Sequence, residues 1–127
     1  MYLLDTCTFY WLCAAPDQLP ARISRMLEVE YGRLHISMVT QIEVTNLWLS
    51  NKMRIGRSPR NWFRDQIHSW NISLLRIDEE DIFRASELPT HHRDPFDRLL
   101  IAQAIIRNMT FITPDPIIHK YPVSTLW

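Results

Sequence analysis

Four carboxylates stand where parallel α/β proteins place chemically active groups. Asp5 follows the apolar run 2–4 (YLL), and Asp115 follows the apolar run 110–113 (TFIT). Glu43 lies on a predicted helix that is entered directly from a predicted strand, and Asp97 lies in the first turn of another helix. Functional residues of open α/β sheets lie beyond the carboxyl ends of the strands. We therefore expect these four acids to lie close together.

Grouped carboxylates predict a cation site. Because like charges repel, some of these acids would have to keep their protons unless a cation lay between them. Hard oxygen ligands suit Mg²⁺ or Mn²⁺. Such ions promote phosphodiester hydrolysis by activating water and by stabilising charge on the scissile phosphate. The predicted metal ligands and catalytic residues are Asp5, Glu43, Asp97 and Asp115.

Two of the acidic positions also have an explanation without chemistry. Asp94 is a good N-cap, and an acid at Asp97 would favour the helix dipole. The same D-x-x-D spacing recurs at Asp78 and Asp81, to which we assign no chemistry. The helix at Asp97 is distinguished by being apolar on most sides and therefore buried, whereas the helix at Asp78 is amphipathic. Glu43 has no basic residue at helical i±3 or i±4 spacing, so local ion pairing does not explain it.

The elements that would hold these acids alternate between strand and helix. Short apolar runs predict strands, and amphipathic or apolar segments of 3.6-residue periodicity predict helices between them. This pattern predicts one α/β domain over 1–127, with a mainly parallel sheet covered on both faces. The strands are predicted at 2–4, 34–36, 72–77 and 110–113, and the helices after 5 and at 20–31, 37–51, 58–70, 78–88 and 96–108.

The composition excludes several other classes of protein. The chain has 127 residues, 46% of them hydrophobic, and a formal net charge of zero, so no overall field attracts nucleic acid or membrane. Two glycines are too few for a phosphate-binding glycine-rich loop. Cys7 and Cys13 fit neither a disulfide framework nor a zinc site. With no apolar stretch of membrane-spanning length, we expect a cytoplasmic protein that does not bind membranes.

Local basic segments predict where an anionic partner would bind. Residues 52–64 contain five basic side chains and no acid, with Trp62 and Phe63 among them. These aromatic residues can stack on unpaired bases, or they can belong to the core. His91 and His92 are interpreted as turn residues without a set role. The predicted RNA-binding residues are Lys52, Arg54, Arg57, Arg60, Arg93 and Arg98.

Four motifs together carry a family resemblance. In chain order they are LLDT, SMVTQIEV, HHRDPFDRLLIAQA and FITPD, and they extend from Tyr2 to about Asp115. This set resembles PIN-domain proteins, and more narrowly the VapC-type toxin ribonucleases. One departure is Pro114, where the family usually has an ordinary or basic residue. The resemblance implies a three-layer α/β/α sandwich and a Mg²⁺- or Mn²⁺-dependent endoribonuclease that leaves 5′-phosphate and 3′-hydroxyl ends.

The resemblance also implies roles for individual residues and partners. The family acids match the four carboxylates above, Asp94 matches an auxiliary acid, and the neighbouring hydroxyls match Thr6, Thr40, Thr113 and Ser37. The implied partners are RNA, a small cognate antitoxin and a second copy of the chain. Two alternatives stay open, namely a PIN-like binding module without turnover and a housekeeping RNA-processing nuclease. An aspartyl-phosphate phosphatase is disfavoured, because it needs a second Asp at the position of Cys7.

Overall fold

A central sheet of five short parallel strands organises the protein, whose computed structural model describes residues 1–127. The strands are β1 (Tyr2–Leu4), β2 (Leu34–Ser37), β3 (Ser73–Leu75), β4 (Thr110–Ile112) and β5 (Thr125–Leu126). The order across the sheet is β3-β2-β1-β4-β5, so that the first strand of the chain is also the central one. In register, Tyr2 lies opposite Leu34 on one side and Thr110 on the other.

Helices connect the strands, and four of the six begin with a side-chain cap. Side chains of Asp5, Ser37, Ser58 and Asp94 accept backbone N–H bonds at the starts of four helices. No helix combines the length and the apolar character needed to cross a bilayer. The helices are α1 (Thr6–Ala14), α2 (Ala21–Val29), α3 (Met38–Leu49), α4 (Pro59–Trp70), α5 (Glu79–Glu87) and α6 (Pro95–Ile106), with short 3₁₀ turns at Pro16–Gln18 and Ile118–Lys120.

The core lies in two apolar clusters, because successive strand residues point to opposite faces of the sheet. Leu4 and Ile112 belong to one cluster, which also contains residues of α1, α2 and α4. Leu3 and Phe111 belong to the other, which contains residues of α5 and α6. All four side chains are fully buried. The predicted three-layer α/β/α sandwich with a parallel sheet is thereby confirmed.

The predicted strand 72–77 is shorter in the structure than in the sequence pattern. Only Ser73–Leu75 pairs, and it pairs with β2 alone at the edge of the sheet. Beyond it, the carbonyl of Arg76 accepts a 3.1 Å hydrogen bond from Gln103 Nε2 on α6. A side chain of the helical layer therefore replaces the strand pairing at this point.

Candidate functional site

Asp5 is held where the central strand ends. It caps α1, since its Oδ1 accepts the backbone N–H of Thr8 at 2.7 Å. Its Oδ2 accepts the hydroxyl of Thr113, which follows β4, also at 2.7 Å. Burial raises the pKa of the Asp5 carboxyl, while the bonds from Thr113 and Thr8 oppose this shift. Bonds from α1 and from the residue that follows β4 thus fix the orientation of this buried carboxylate.

Glu43 faces the same region from α3. The hydroxyl of Thr6 donates to Glu43 Oε1 at 2.7 Å and lies 3.0 Å from the hydroxyl of Thr40. Because Thr6 has a single hydroxyl proton, Thr40 is the donor in the second contact. Burial raises the pKa of Glu43 to about 7, with smaller contributions from the negative charges of Asp97 and other acids. Two of the four predicted hydroxyl residues, Thr6 and Thr40, therefore form one hydrogen-bonded chain with this acid.

Asp94 and Asp97 enter the site at the start of α6. Asp94 is the N-cap, and its Oδ1 accepts the backbone N–H of Phe96 at 2.9 Å. Burial raises the pKa of Asp97 to about 6, and repulsion from Asp94 adds to the shift. The helix continues into the buried residues Leu100 and Ile101, as the apolar pattern predicts. The cap and the first turn therefore place two acids at the rim of the cleft.

Asp115 joins the cluster through a histidine that sequence reasoning did not select. His92 Nε2 lies 2.9 Å from Asp115 Oδ2 and 3.1 Å from Asp97 Oδ2. Pro114 does not turn Asp115 away, since the Asp115 N–H donates to Thr113 Oγ1 at 3.2 Å. The sequence places His92 just before the D-x-x-D motif that contains Asp97, but nothing in that motif indicates these contacts with two carboxylates.

A cleft of about 400 Å³ opens over the acids. Asp5, Glu43, Asp94 and Asp97 line it together with apolar and aromatic side chains of α1 and α3. Cys7 also lines the cleft, and burial raises the pKa of its thiol to about 11, with repulsion from nearby acids adding to the effect. The thiol is therefore protonated at neutral pH, and the functional groups of this cleft are carboxylates.

The donor set fits a divalent cation. Carboxylates at the starts of α1 and α6 and on α3 line one cleft, and the raised pKa values of Asp5, Glu43 and Asp97 reflect burial together with mutual repulsion. A cation would relieve both, and oxygen-only ligands are those that Mg²⁺ and Mn²⁺ prefer. Beside this oxygen set, one ring nitrogen of His92 and carboxylate oxygens of Asp97 and Asp115 lie within 4.8 Å of one another.

Comparison with known proteins agrees with this geometry. A sequence profile of the PIN domain family matches residues 2–123. The chain belongs to the PIN domain family. No curated protein sequence matches the chain. The resemblance predicted from the four sequence motifs is thereby confirmed.

Solved structures share the fold of this PIN domain at low sequence identity. The Rickettsia felis VapBC2 complex, bound to a promoter DNA fragment, matches with a TM-score of 0.75 and 17% identity, covering 98% of this chain and 96% of that chain. DNA-bound VapBC from Salmonella typhimurium matches with a TM-score of 0.70 and 16% identity, covering 98% and 96%. FitAcB from Neisseria gonorrhoeae matches with a TM-score of 0.70 and 17% identity, covering 100% and 97%. These matches show that the chain shares its fold with the three structures over nearly its whole length.

Most of the predicted RNA-binding residues of the PIN domain are exposed to solvent, whereas Arg98 is hydrogen-bonded within the protein. Trp62 and Phe63 are 4% exposed and pack in the core, which excludes base stacking by these two rings. Arg57 forms an ion pair with Asp65 on α4. The exposed members of the group are Lys52, Arg54, Arg57, Arg60 and Arg93.

Arg98 is engaged within the protein. Its Nη2 donates to the carbonyls of Ala85 and Leu88 at 2.7 and 2.8 Å. Its Nη1 donates to the carbonyls of Pro89 and His92 at 2.8 and 3.2 Å. These bonds join the end of α5 to the loop that carries His92. The Arg98 side chain thereby stabilises the loop that carries His92. Contact of Arg98 with RNA stays a prediction.

Proposed function

We propose that this PIN domain is a Mg²⁺- or Mn²⁺-dependent endoribonuclease and the toxin of a type II toxin–antitoxin pair. The observation that carries the proposal is the convergence of Asp5, Glu43 and Asp97 on one cleft, with the pKa of each carboxyl raised. Such a cluster is unfavourable as a purely structural feature, because burial and repulsion both disfavour its charged form. A divalent cation would stabilise the charged form of these carboxylates and could take part in RNA cleavage.

The acids have distinct tasks in this proposal. Asp5 and Asp97 would hold the cation, and Glu43 and Asp115 would complete the set. When bound, the cation would activate water and stabilise charge on the scissile phosphate. Thr113 and Thr6 orient Asp5 and Glu43 by 2.7 Å hydrogen bonds, so that these carboxylates need no reorganisation when RNA binds.

A second cleft supports a path for the RNA strand. It has a volume of about 680 Å³, lies beside the C-terminal end of α3, and shares Met53 with the acidic cleft. Arg54, Arg57 and the half-exposed indole of Trp48 line it. Phosphates of a single strand would contact the guanidinium groups, and an unpaired base would stack on Trp48.

The proposed protein partners follow from the comparisons and from the surface. The similar structures are toxin–antitoxin or VapBC complexes, which supports a small antitoxin that covers the acidic cleft. Exposed apolar side chains, among them Ile42 and Leu49 on α3 and Ile82 and Phe83 on α5, support burial in a homodimer or against that partner. Free cysteines agree with a reducing cytoplasm as its location.

Cleavage of end-labelled RNA by the purified protein tests the enzymatic part. Cleavage should require Mg²⁺ or Mn²⁺, stop in EDTA, and disappear in Asp97→Asn. Asp78→Asn is the control, since Asp78 opens the other D-x-x-D motif, is exposed and lies outside the acidic cleft. RNA that binds in EDTA and is never cut would favour the binding module. Growth arrest that a neighbouring small gene product relieves would separate a toxin from a housekeeping nuclease.

A further inference from the structure

His92 lies between two carboxylates of the site. Its Nε2 is 2.9 Å from Asp115 Oδ2 and 3.1 Å from Asp97 Oδ2. The imidazole is 13% exposed, so that water has little access to these contacts. One ring nitrogen therefore lies within hydrogen-bond distance of two acids that the proposed function assigns to the cation.

The other ring nitrogen determines what His92 offers to these acids. The backbone N–H of Asp94 donates to His92 Nδ1 at 3.2 Å. A nitrogen that accepts a hydrogen bond carries the lone pair, so the ring proton of the neutral imidazole is on Nε2. Asp97 and Asp115 therefore face an N–H donor and not a lone pair that would coordinate a metal.

The loop backbone fixes His92 in this position. The His92 N–H donates to the buried Tyr121 hydroxyl at 2.7 Å, and the His92 carbonyl accepts from Arg98 at 3.2 Å. The Tyr121 hydroxyl in turn donates to the carbonyl of Pro89 at 2.8 Å. Both backbone groups of His92 are thus bound by side chains from other parts of the chain. These two bonds fix the loop and hold the imidazole beside Asp97 and Asp115.

We infer that His92 is a positioning residue that competes with the divalent cation for Asp97 and Asp115. In the metal-free protein, its N–H holds these two acids together in the place of a cation. A cation held by Asp97 and Asp115 would have to displace both contacts, which would lower the apparent metal affinity. This inference rests on the proposed function, because it assigns a regulating side chain to the same metal site.

Mn²⁺ binding to the RNA-free protein, measured by calorimetry at one fixed pH, tests the inference. His92→Ala should bind Mn²⁺ about tenfold more tightly, because the variant has no hydrogen bonds to charged groups to lose. His92→Gln keeps an N–H donor and should lie closer to the wild type. His68→Ala is the control, since His68 is exposed near the end of α4 and contacts none of these residues. It should leave Mn²⁺ affinity unchanged.

Thermal unfolding provides a second readout that does not depend on catalysis. His92→Ala should unfold at a lower temperature than the wild type in EDTA, and saturating Mn²⁺ should reduce the difference. Weaker Mn²⁺ binding by His92→Ala would make His92 a ligand and overturn the inference, while equal binding would remove it from the metal site. A wild-type protein that binds no Mn²⁺ would instead overturn the proposed function as well.

Discussion

The hydroxyl of Thr113 donates a 2.7 Å hydrogen bond to Asp5 Oδ2 and thereby joins the end of β4 to the end of β1. Both side chains are buried. The same hydroxyl oxygen accepts the N–H of Asp115 at 3.2 Å. One threonine therefore orients acids that follow two neighbouring strands, and the geometry of the proposed metal site depends on it.

Thr113→Val should weaken metal binding while keeping the shape of the side chain. Loss of the hydroxyl removes one of the two donors that orient Asp5, and outer hydrogen bonds of this kind affect metal affinity about tenfold to hundredfold. Calorimetric titration with Mn²⁺ measures the effect. Thr113→Ser retains the hydroxyl and should bind Mn²⁺ nearly as the wild type does. Equal affinities for the Val and Ser variants would contradict a role for this bond.

Asp97→Asn should stabilise the metal-free protein although it abolishes the proposed cleavage. The pKa of Asp97 is raised to about 6 by burial and by repulsion from Asp94, so its charged form is disfavoured in the folded state. Removing that charge should raise the free energy of unfolding in EDTA at pH 8 by about 1 kcal/mol. Urea denaturation measures it. An equal gain in saturating Mn²⁺ would argue against Asp97 as a ligand, because the wild type should then be stabilised by the metal.

The pH dependence of the free energy of unfolding should reveal the raised pKa of Glu43. Its pKa in the folded protein is about 7, above the ordinary 4.5, so between these values the folded state binds more protons than the unfolded state. The contribution of Glu43 to stability is therefore present at low pH and is lost as pH rises through about 7. In EDTA, the stability difference between the wild type and Glu43→Gln should change in favour of the variant from pH 5 to pH 8.

The wild type has to be compared with Glu43→Gln because His35 also changes the stability with pH. Burial lowers the pKa of His35, which therefore removes stability as pH falls below its ordinary value of 6.5. This effect opposes that of Glu43 in the wild-type curve but cancels in the comparison with Glu43→Gln. A pH-independent difference between the two proteins would show that Glu43 titrates normally.

Much of the fold was predictable because its strands and helices have local signals. Buried strands are continuous apolar runs, and Asp94 or Ser58 announces a helix start by the hydrogen bond its side chain can accept. The ends of the edge strand were harder to predict, because the apolar residues of 72–77 pack on opposite sides of the sheet. Strand β5 has only two residues, Thr125 and Leu126, and forms by pairing with β4, which sequence periodicity does not reveal.

The candidate site was predictable in part for the same reason. Asp5 and Asp97 adjoin strong local signals, the end of an apolar strand and the start of an apolar helix. The position of His92 depends on Tyr121, a partner 29 residues away, and no local pattern encodes it. Trp62 and Phe63 lie in a basic segment yet pack in the core, because helical periodicity turns them inward between exposed arginines.

Arg54→Ala should weaken RNA binding without changing metal affinity. Arg54 is exposed and lines the cleft that adjoins the acids, so we expect it to contact a phosphate. Losing one such contact should reduce the salt dependence of RNA binding by about one unit in the log–log slope. Fluorescence anisotropy with the Asp97→Asn background measures binding without cleavage. Arg25→Ala on α2, also exposed, is the control and should keep the wild-type slope.

The D-x-x-D copy at Asp78 and Asp81 should prove structural. Asp81 is 1% exposed and accepts hydrogen bonds from Arg107 at 2.8 and 3.1 Å and from Gln103 at 3.2 Å. These partners lower the pKa of the Asp81 carboxyl against the effect of burial. Asp81→Ala leaves the charge of Arg107 without its principal partner and should cost about 3–5 kcal/mol of stability.

The measurement is urea denaturation at neutral pH, with Mn²⁺ titration of the folded variant as the second readout. Asp78→Ala provides the matched comparison, since Asp78 is 71% exposed and contacts Arg107 at 3.2 Å. An exposed ion pair contributes at most about 1 kcal/mol and the N-cap of α5 about 1 kcal/mol more, so this variant should lose less stability than Asp81→Ala. Both variants should bind Mn²⁺ like the wild type wherever they are folded. Loss of Mn²⁺ binding by folded Asp81→Ala would show that the two D-x-x-D motifs share one function, whereas retained binding would assign metal chemistry to Asp97 and helix anchoring to Asp81.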